Sequence, residues 1–130
     1  MFYQGELVKR IYDVQDQVSV LANSSVQLCR FVVPVNRRCV LVKLGNMPEN
    51  GGENSVKFRL LRDGIPDPDF SGVDNAGYFG AFGLPYEADD VNTISHELRE
   101  GEVIALEAIN TDAANAYLVN GRIRVFALDK

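Results

Sequence analysis

The chain is predicted to be all-β: one antiparallel β-sandwich of jelly-roll or Greek-key type, with an extended arm at its N-terminus. Three observations carry this expectation. Roughly eight short runs rich in β-branched and aromatic residues are separated by Gly, Asn, Asp and Pro. No stretch of a dozen residues shows the i, i+3, i+4 apolar spacing of an amphipathic helix. The C-terminal region holds two apolar runs, Val103 to Asn110 and Ala116 to Leu128, split by the polar residues Thr111, Asp112 and Asn115. Such runs, bounded by turn-forming residues, read as strands joined by a tight loop.

Residues 1–14 are expected to be an extended arm or first strand, and residues 15–130 the sandwich proper. Leu7, Val8, Ile11 and Tyr12 supply the apolar positions of the first segment, and the polar stretch Asp13 to Gln17 follows it. Gln17 to Leu21 alternates polar and apolar, with Val18 and Val20 on one side. Asn23-Ser24-Ser25 marks a turn. Val26 to Val33 is the next strand, and its alternation slips near Cys29, which suits a bulge or a strand covered on both faces. Pro34 cannot donate to a ladder, so the strand ends there or lies at an edge.

Cys39 to Leu44 is nearly continuous apolar sequence, the pattern of a central strand. Gly45 to Asn54 is expected to be a loop, with Asn50-Gly51-Gly52 allowing positive φ. Ser55 to Arg62 alternates most clearly: Val56, Phe58 and Leu60 point one way, while Lys57, Arg59 and Arg62 stay with solvent. One wet face assigns it to an antiparallel sheet. Asp63-Gly64 turns the chain. Ile65 to Asp90, rich in Pro and Gly, reads as a long loop pinned by Phe70, Tyr78, Phe79, Phe82 and Tyr86, with a short strand expected at Tyr78 to Leu84. Val91 to Leu98 is a further strand leading into the turn at Arg99.

Composition bounds the function. One domain fits the length, with roughly two-thirds of the unfolded surface buried on folding. Acidic residues number 18 against 13 Lys and Arg, a formal net charge of −5. That balance argues against a nucleic-acid binder and against docking on an anionic membrane. No apolar run approaches the ~20 residues that span a bilayer. The start, Met1 to Glu6, has neither the basic nor the apolar part of a signal peptide, so the chain is expected to stay in the compartment where it is made. Cys29 and Cys39 read as reduced, buried thiols. A disulfide is the alternative if Pro34 to Arg38 is a hairpin turn.

Chemistry is sparse. Every histidine mechanism must pass through His96, whose neighbour Ser95 points to the opposite face of a strand. An ordinary hydrogen-bonded histidine is the simpler account. Two cysteines and one histidine fall short of a zinc site. Asp63, Asp67, Asp69, Asp74, Asp89 and Asp90 could contribute to a calcium site, but their spacing departs from the calcium-loop pattern, and turn capping is the commoner use. Nothing fixes two carboxylates at glycosidase separation. No cofactor is expected. Tyr78, Phe79, Phe82 and Tyr86 read as rings holding the long loop down, with a sugar- or protein-binding surface as the sharper alternative. Arg37 and Arg38, with Lys9 and Arg10, read as a solvated turn or as an ion-pairing patch for an acidic partner.

The succession Phe31-Val32-Val33-Pro34-Val35, Cys39 to Gly45, Val56 to Gly64, Glu97 to Ile104 and Ala108-Ile109-Asn110 resembles the small jelly-roll decoration (cement) proteins of tailed bacteriophage capsids. The resemblance covers about residues 26–128 and is one of strand rhythm. It implies a non-enzymatic role on the outer surface of the virion, trimers bridging neighbouring capsomers, and the major capsid protein as partner. It also implies that residues 1–14 reach toward a neighbour, which suits the apolar Phe2, Tyr3, Leu7, Val8, Ile11 and Tyr12. These residues (Val8 apart), with Arg37, Arg38, Tyr78, Phe79, Phe82 and Tyr86, form the candidate partner interface. A carbohydrate- or host-surface-binding module of a tail or fibre is the alternative.

Overall fold

The computed structural model describes residues 1–49, 51–66 and 93–128. Among these residues nine strands follow in order: β1 (Phe2–Tyr3), β2 (Glu6–Val20), β3 (Ser25–Val32), β4 (Arg38–Pro48), β5 (Val56–Arg62), β6 (Ile65–Pro66), β7 (Thr93–Leu98), β8 (Val103–Asn110) and β9 (Tyr117–Leu128), with one 3-10 turn at Gly52–Asn54. They form two antiparallel sheets, ordered β1-β2-β9-β4-β7 and β3-β8-β5-β6. The pairing is nested: β2 with β9, β3 with β8, β4 with β7, β5 with β6, alternating between sheets. Eight strands laid out this way are a jelly roll, and β1 adds to its edge.

Local sequence accounts for much of this. Asp63 and Gly64 both take positive φ, the mirror-image turn that closes a two-residue hairpin between β5 and β6. In β5, Val56, Phe58 and Leu60 enter the core while Lys57 stays exposed. In β3 the register shifts between Leu28 and Phe31, and Cys29 sits at φ 52. This bulge turns two consecutive side chains, Leu28 and Cys29, into the core. The space they need is left by Gly121 on β9, where a Cβ would lie 3.2 Å from the Cys29 sulfur. Burial, with Asp16 nearby, pushes the Cys29 thiol up to about 12. Cys29 and Cys39 are both buried and free; their strands lie in opposite sheets rather than side by side.

The main core lies between the sheets, built on Phe58, Leu28, Leu41, Ile104, Leu106 and Ile123. A second cluster, Val40, Val42, Phe126 and Leu128, lies on the outer face of the first sheet with Tyr3 and Val8 packed against it. β4 is therefore buried on both faces, which explains its unbroken apolar run.

Two expected boundaries move. The division between residues 14 and 15 falls inside β2, which is one strand from Glu6 to Val20 in register with β9 from Val8↔Leu128 to Val20↔Tyr117. The polar stretch survives as strand because Asp13 pairs with Arg122 and Arg124, and Gln17 bonds Asn120, all on β9. Likewise Gly45 to Pro48, expected as loop, continue β4 because Gly121, Asn120 and Val119 of β9 lie opposite. The strand expected at Tyr78 to Leu84 lies outside the described residues.

Candidate functional site

Strand direction gives the sandwich two ends. The lower end gathers the β2–β3 turn, the segment between β4 and β5, and the β8–β9 loop. It is closed by polar side chains that satisfy one another. Asn110 is buried; its Nδ2 donates to the carbonyls of Val20, Leu21 and Asn115, while its Oδ1 accepts from the Asp112 N–H at 2.9 Å. Asp112 in turn accepts from the N–H groups of Ala114 and Asn115 and, at 2.7 Å, from the Tyr117 hydroxyl. These donors, Ala114 N–H foremost, hold the Asp112 carboxyl well below its ordinary range. The same bond to Asp112 raises the Tyr117 phenol.

The upper end gathers the β1–β2 hairpin, the β3–β4 loop, the Asp63-Gly64 turn and the Arg99 turn. Part of it is tightly built. Glu102, its side chain fully buried, accepts from Arg62 at 2.8 Å and from Arg99 at 3.3 Å. Its backbone also bonds Val33, tying the start of β8 to the end of β3. Asp63 accepts from the Val103 N–H at 2.9 Å and so acts as a turn cap. Arg38 is bound to Glu6 and Glu97, reaching across β9 to β2 on one side and to β7 on the other. The bond to Glu97 raises the Arg38 guanidinium above its ordinary value, with Glu6 adding to it. Of the two arginines expected at a partner surface, Arg38 is thus committed within the fold, and Arg37 is exposed.

Exposed apolar side chains concentrate at this same end. Met1, Phe2, Leu7, Val32, Val35 and Ile65 lie there, with Ile11 close by on β2; of the large exposed hydrophobics among the described residues, Leu21 alone is at the lower end. Phe2 is 71% exposed, Val35 66% and Ile65 69%. A register shift between Val8 and Arg10 decides which way the hairpin faces. Val8 packs on the outer cluster, so Leu7 and its partner Phe2 project from the core-side face, beyond the last described pair with β9. Tyr3 and Tyr12 are used differently. Tyr3 meets Phe126 edge-on at 5.4 Å, and Tyr12 packs on Phe31 at 5.0 Å with Arg10 over its ring at 4.9 Å. They attach the N-terminal strand to its own sandwich.

Sequence reasoning did not single out Val32, Val35, Ile65 or Arg30 as surface positions. The usable signal was an apolar residue immediately beyond a strand-ending Pro34, and a bulge at Cys29 that resets which neighbours face out. Tyr78, Phe79, Phe82 and Tyr86, and the aspartates at 67, 69, 74, 89 and 90, lie outside the described residues. His96 sits on β7 opposite Leu41, half-buried. Among the described residues no three His, Cys, Asp or Glu side chains group as metal ligands, and no helix is long and apolar enough to cross a membrane. No protein-family model matches the chain, and comparison with curated proteins and with solved structures finds no significant relative.

Proposed function

We propose that this chain is a non-enzymatic structural protein of a bacteriophage particle, a capsid cement whose upper end docks on the major capsid protein. The observation that carries the reading is the collection of Phe2, Leu7, Val32, Val35 and Ile65 in solvent at one end of an otherwise well-packed jelly roll. Exposed apolar groups gathered in one region mark interaction surfaces. Self-association as a trimer on the outer capsid surface belongs to the same proposal, because many weak contacts on a symmetric shell add into a durable coat. The test is co-sedimentation of the purified protein with empty expanded shells of its source particle, alongside its mass in solution. Saturable shell binding lost on Val35→Asp and Phe2→Asp supports the role. Binding to saccharides with no affinity for shells transfers the chain to a tail or fibre module.

A further inference from the structure

The fold neutralises most of its arginines in one manner. Arg122 and Arg124 share Asp13, Arg62 and Arg99 share Glu102, Arg59 takes Glu107, and Arg38 takes Glu6 and Glu97. Arg10, Arg30 and Arg37 break the pattern: all three are exposed, and among the described residues no carboxylate pairs with them. They lie on β2, on β3, which packs against β2, and in the loop that follows β3, toward the upper end, and this corner of the sandwich also exposes Val32 and Val35.

We propose that this corner binds an acidic segment of a partner protein that also carries aliphatic side chains. The inference rests on the reading of the upper end as a docking surface and names the chemistry of what docks there. Three guanidinium groups with no carboxylate partner among the described residues offer bidentate hydrogen bonding to carboxylates. Arg10 is already stacked on the Tyr12 ring, so less side-chain freedom is lost when it is engaged. Val32 and Val35 supply apolar contact between the charges, which a purely electrostatic ligand would leave unused. A nucleic acid fits less well. Tyr12 is occupied by Phe31 and Arg10 and offers no open face for a base, and the chain as a whole carries −5.

The full chain is titrated with a fluorescein-labelled short peptide alternating Glu and Leu, with its Gln/Leu counterpart, and with oligothymidine. The Glu/Leu peptide is expected to bind best and to weaken as salt rises. The combined variant Arg10→Glu, Arg30→Glu, Arg37→Glu is expected to lose about tenfold or more in affinity, and the double variant Arg30→Glu, Arg37→Glu, which keeps the Arg10–Tyr12 contact, to lose affinity at an unchanged melting temperature. A Lys/Leu peptide then binds the triple variant better than the parent. Lys57→Glu, in the lower half of β5, leaves the affinity as it was. Equal binding of the Glu/Leu and Gln/Leu peptides, equal binding by parent and triple variant, or tighter binding of oligothymidine overturns the inference. Shell binding separates the two proposals. If the parent ignores shells yet binds the acidic peptide through these arginines, the particle role falls and the inference stands. If the triple variant coats shells as the parent does, the inference falls and the role stands.

Discussion

The two ends of the sandwich solve the same problem in opposite ways. Both must close a jelly roll where strands stop and backbone groups lose their ladder partners. The lower end does so with short polar side chains: Asn110 and Asp112 bond the turns around them and turn their polar atoms inward. The upper end anchors its turns through Glu102 and Arg38 but leaves aliphatic side chains and three arginines in water. Asn110, Asp112, Glu102 and Arg38 hold the turns in place, whereas the exposed aliphatic side chains and the three arginines make no such bonds among the described residues. Ion pairs tie neighbouring strands together over much of the fold, and the corner where Arg10, Arg30 and Arg37 have no carboxylate partner among the described residues is the one proposed above as a docking surface.

The comparison can be broken most severely at Glu102. Glu102→Ala leaves Arg62 and Arg99 facing each other without their shared carboxylate, and a loss of about 3 kcal/mol in urea unfolding is expected. A loss below about 1 kcal/mol would show that the anchor is not structural. At the lower end, Asn110→Ala takes the side-chain donor from the Val20 and Asn115 carbonyls and the acceptor from the Asp112 N–H, while the Leu21 carbonyl keeps the Ser24 N–H, and about 2 kcal/mol should be lost.

The same region gives a pH dependence. The Asp112 carboxyl is depressed from its ordinary value of 3.8, so its contribution is complete above that pH and is lost as pH falls through the lower folded-state value. Asp112→Asn should flatten the acid limb of the stability profile below about pH 4 and leave the neutral limb parallel to the parent. The smallest effect belongs to the upper corner: Arg30→Glu or Arg37→Glu should change stability by no more than about 0.5 kcal/mol. A larger loss would mean that these side chains have internal work, and the contrast between the ends would blur.

Much of the fold was legible residue by residue. The alternation of Val56, Phe58 and Leu60 assigns β5, the Asp63-Gly64 pair assigns its turn, and the slip at Cys29 leaves a bulge or a doubly covered strand, of which the structure has the bulge. These are local signals, each set within a few residues. What escaped was set by partners far along the chain. Gly45 to Pro48 read as loop until β9 is placed beside them, and Asp13 to Gln17 read as a break until Arg122, Arg124 and Asn120 are seen opposite. The candidate surface was half-legible for the same reason. An apolar N-terminal segment is visible in Phe2, Leu7 and Ile11, but only the register shift after Val8 says which side chains the fold covers. Arg37 and Arg38 are adjacent in sequence and look alike; Glu6 and Glu97 separate their fates.

The position of β9 has a consequence for how the molecule comes into being. Last of the nine described strands, it lies between β2 and β4 rather than at a margin, and it joins Val8 to Leu128. A nascent polypeptide can close the β5–β6 hairpin early, since both halves leave the ribosome together. The five-stranded sheet has to wait for nearly the whole chain, with β2 and β4 lacking the strand that belongs between them. Such long-range closure predicts slow folding and a nascent stage with exposed edges. Trimming β9 away would not shorten a border of the protein; it would leave that sheet in two pieces.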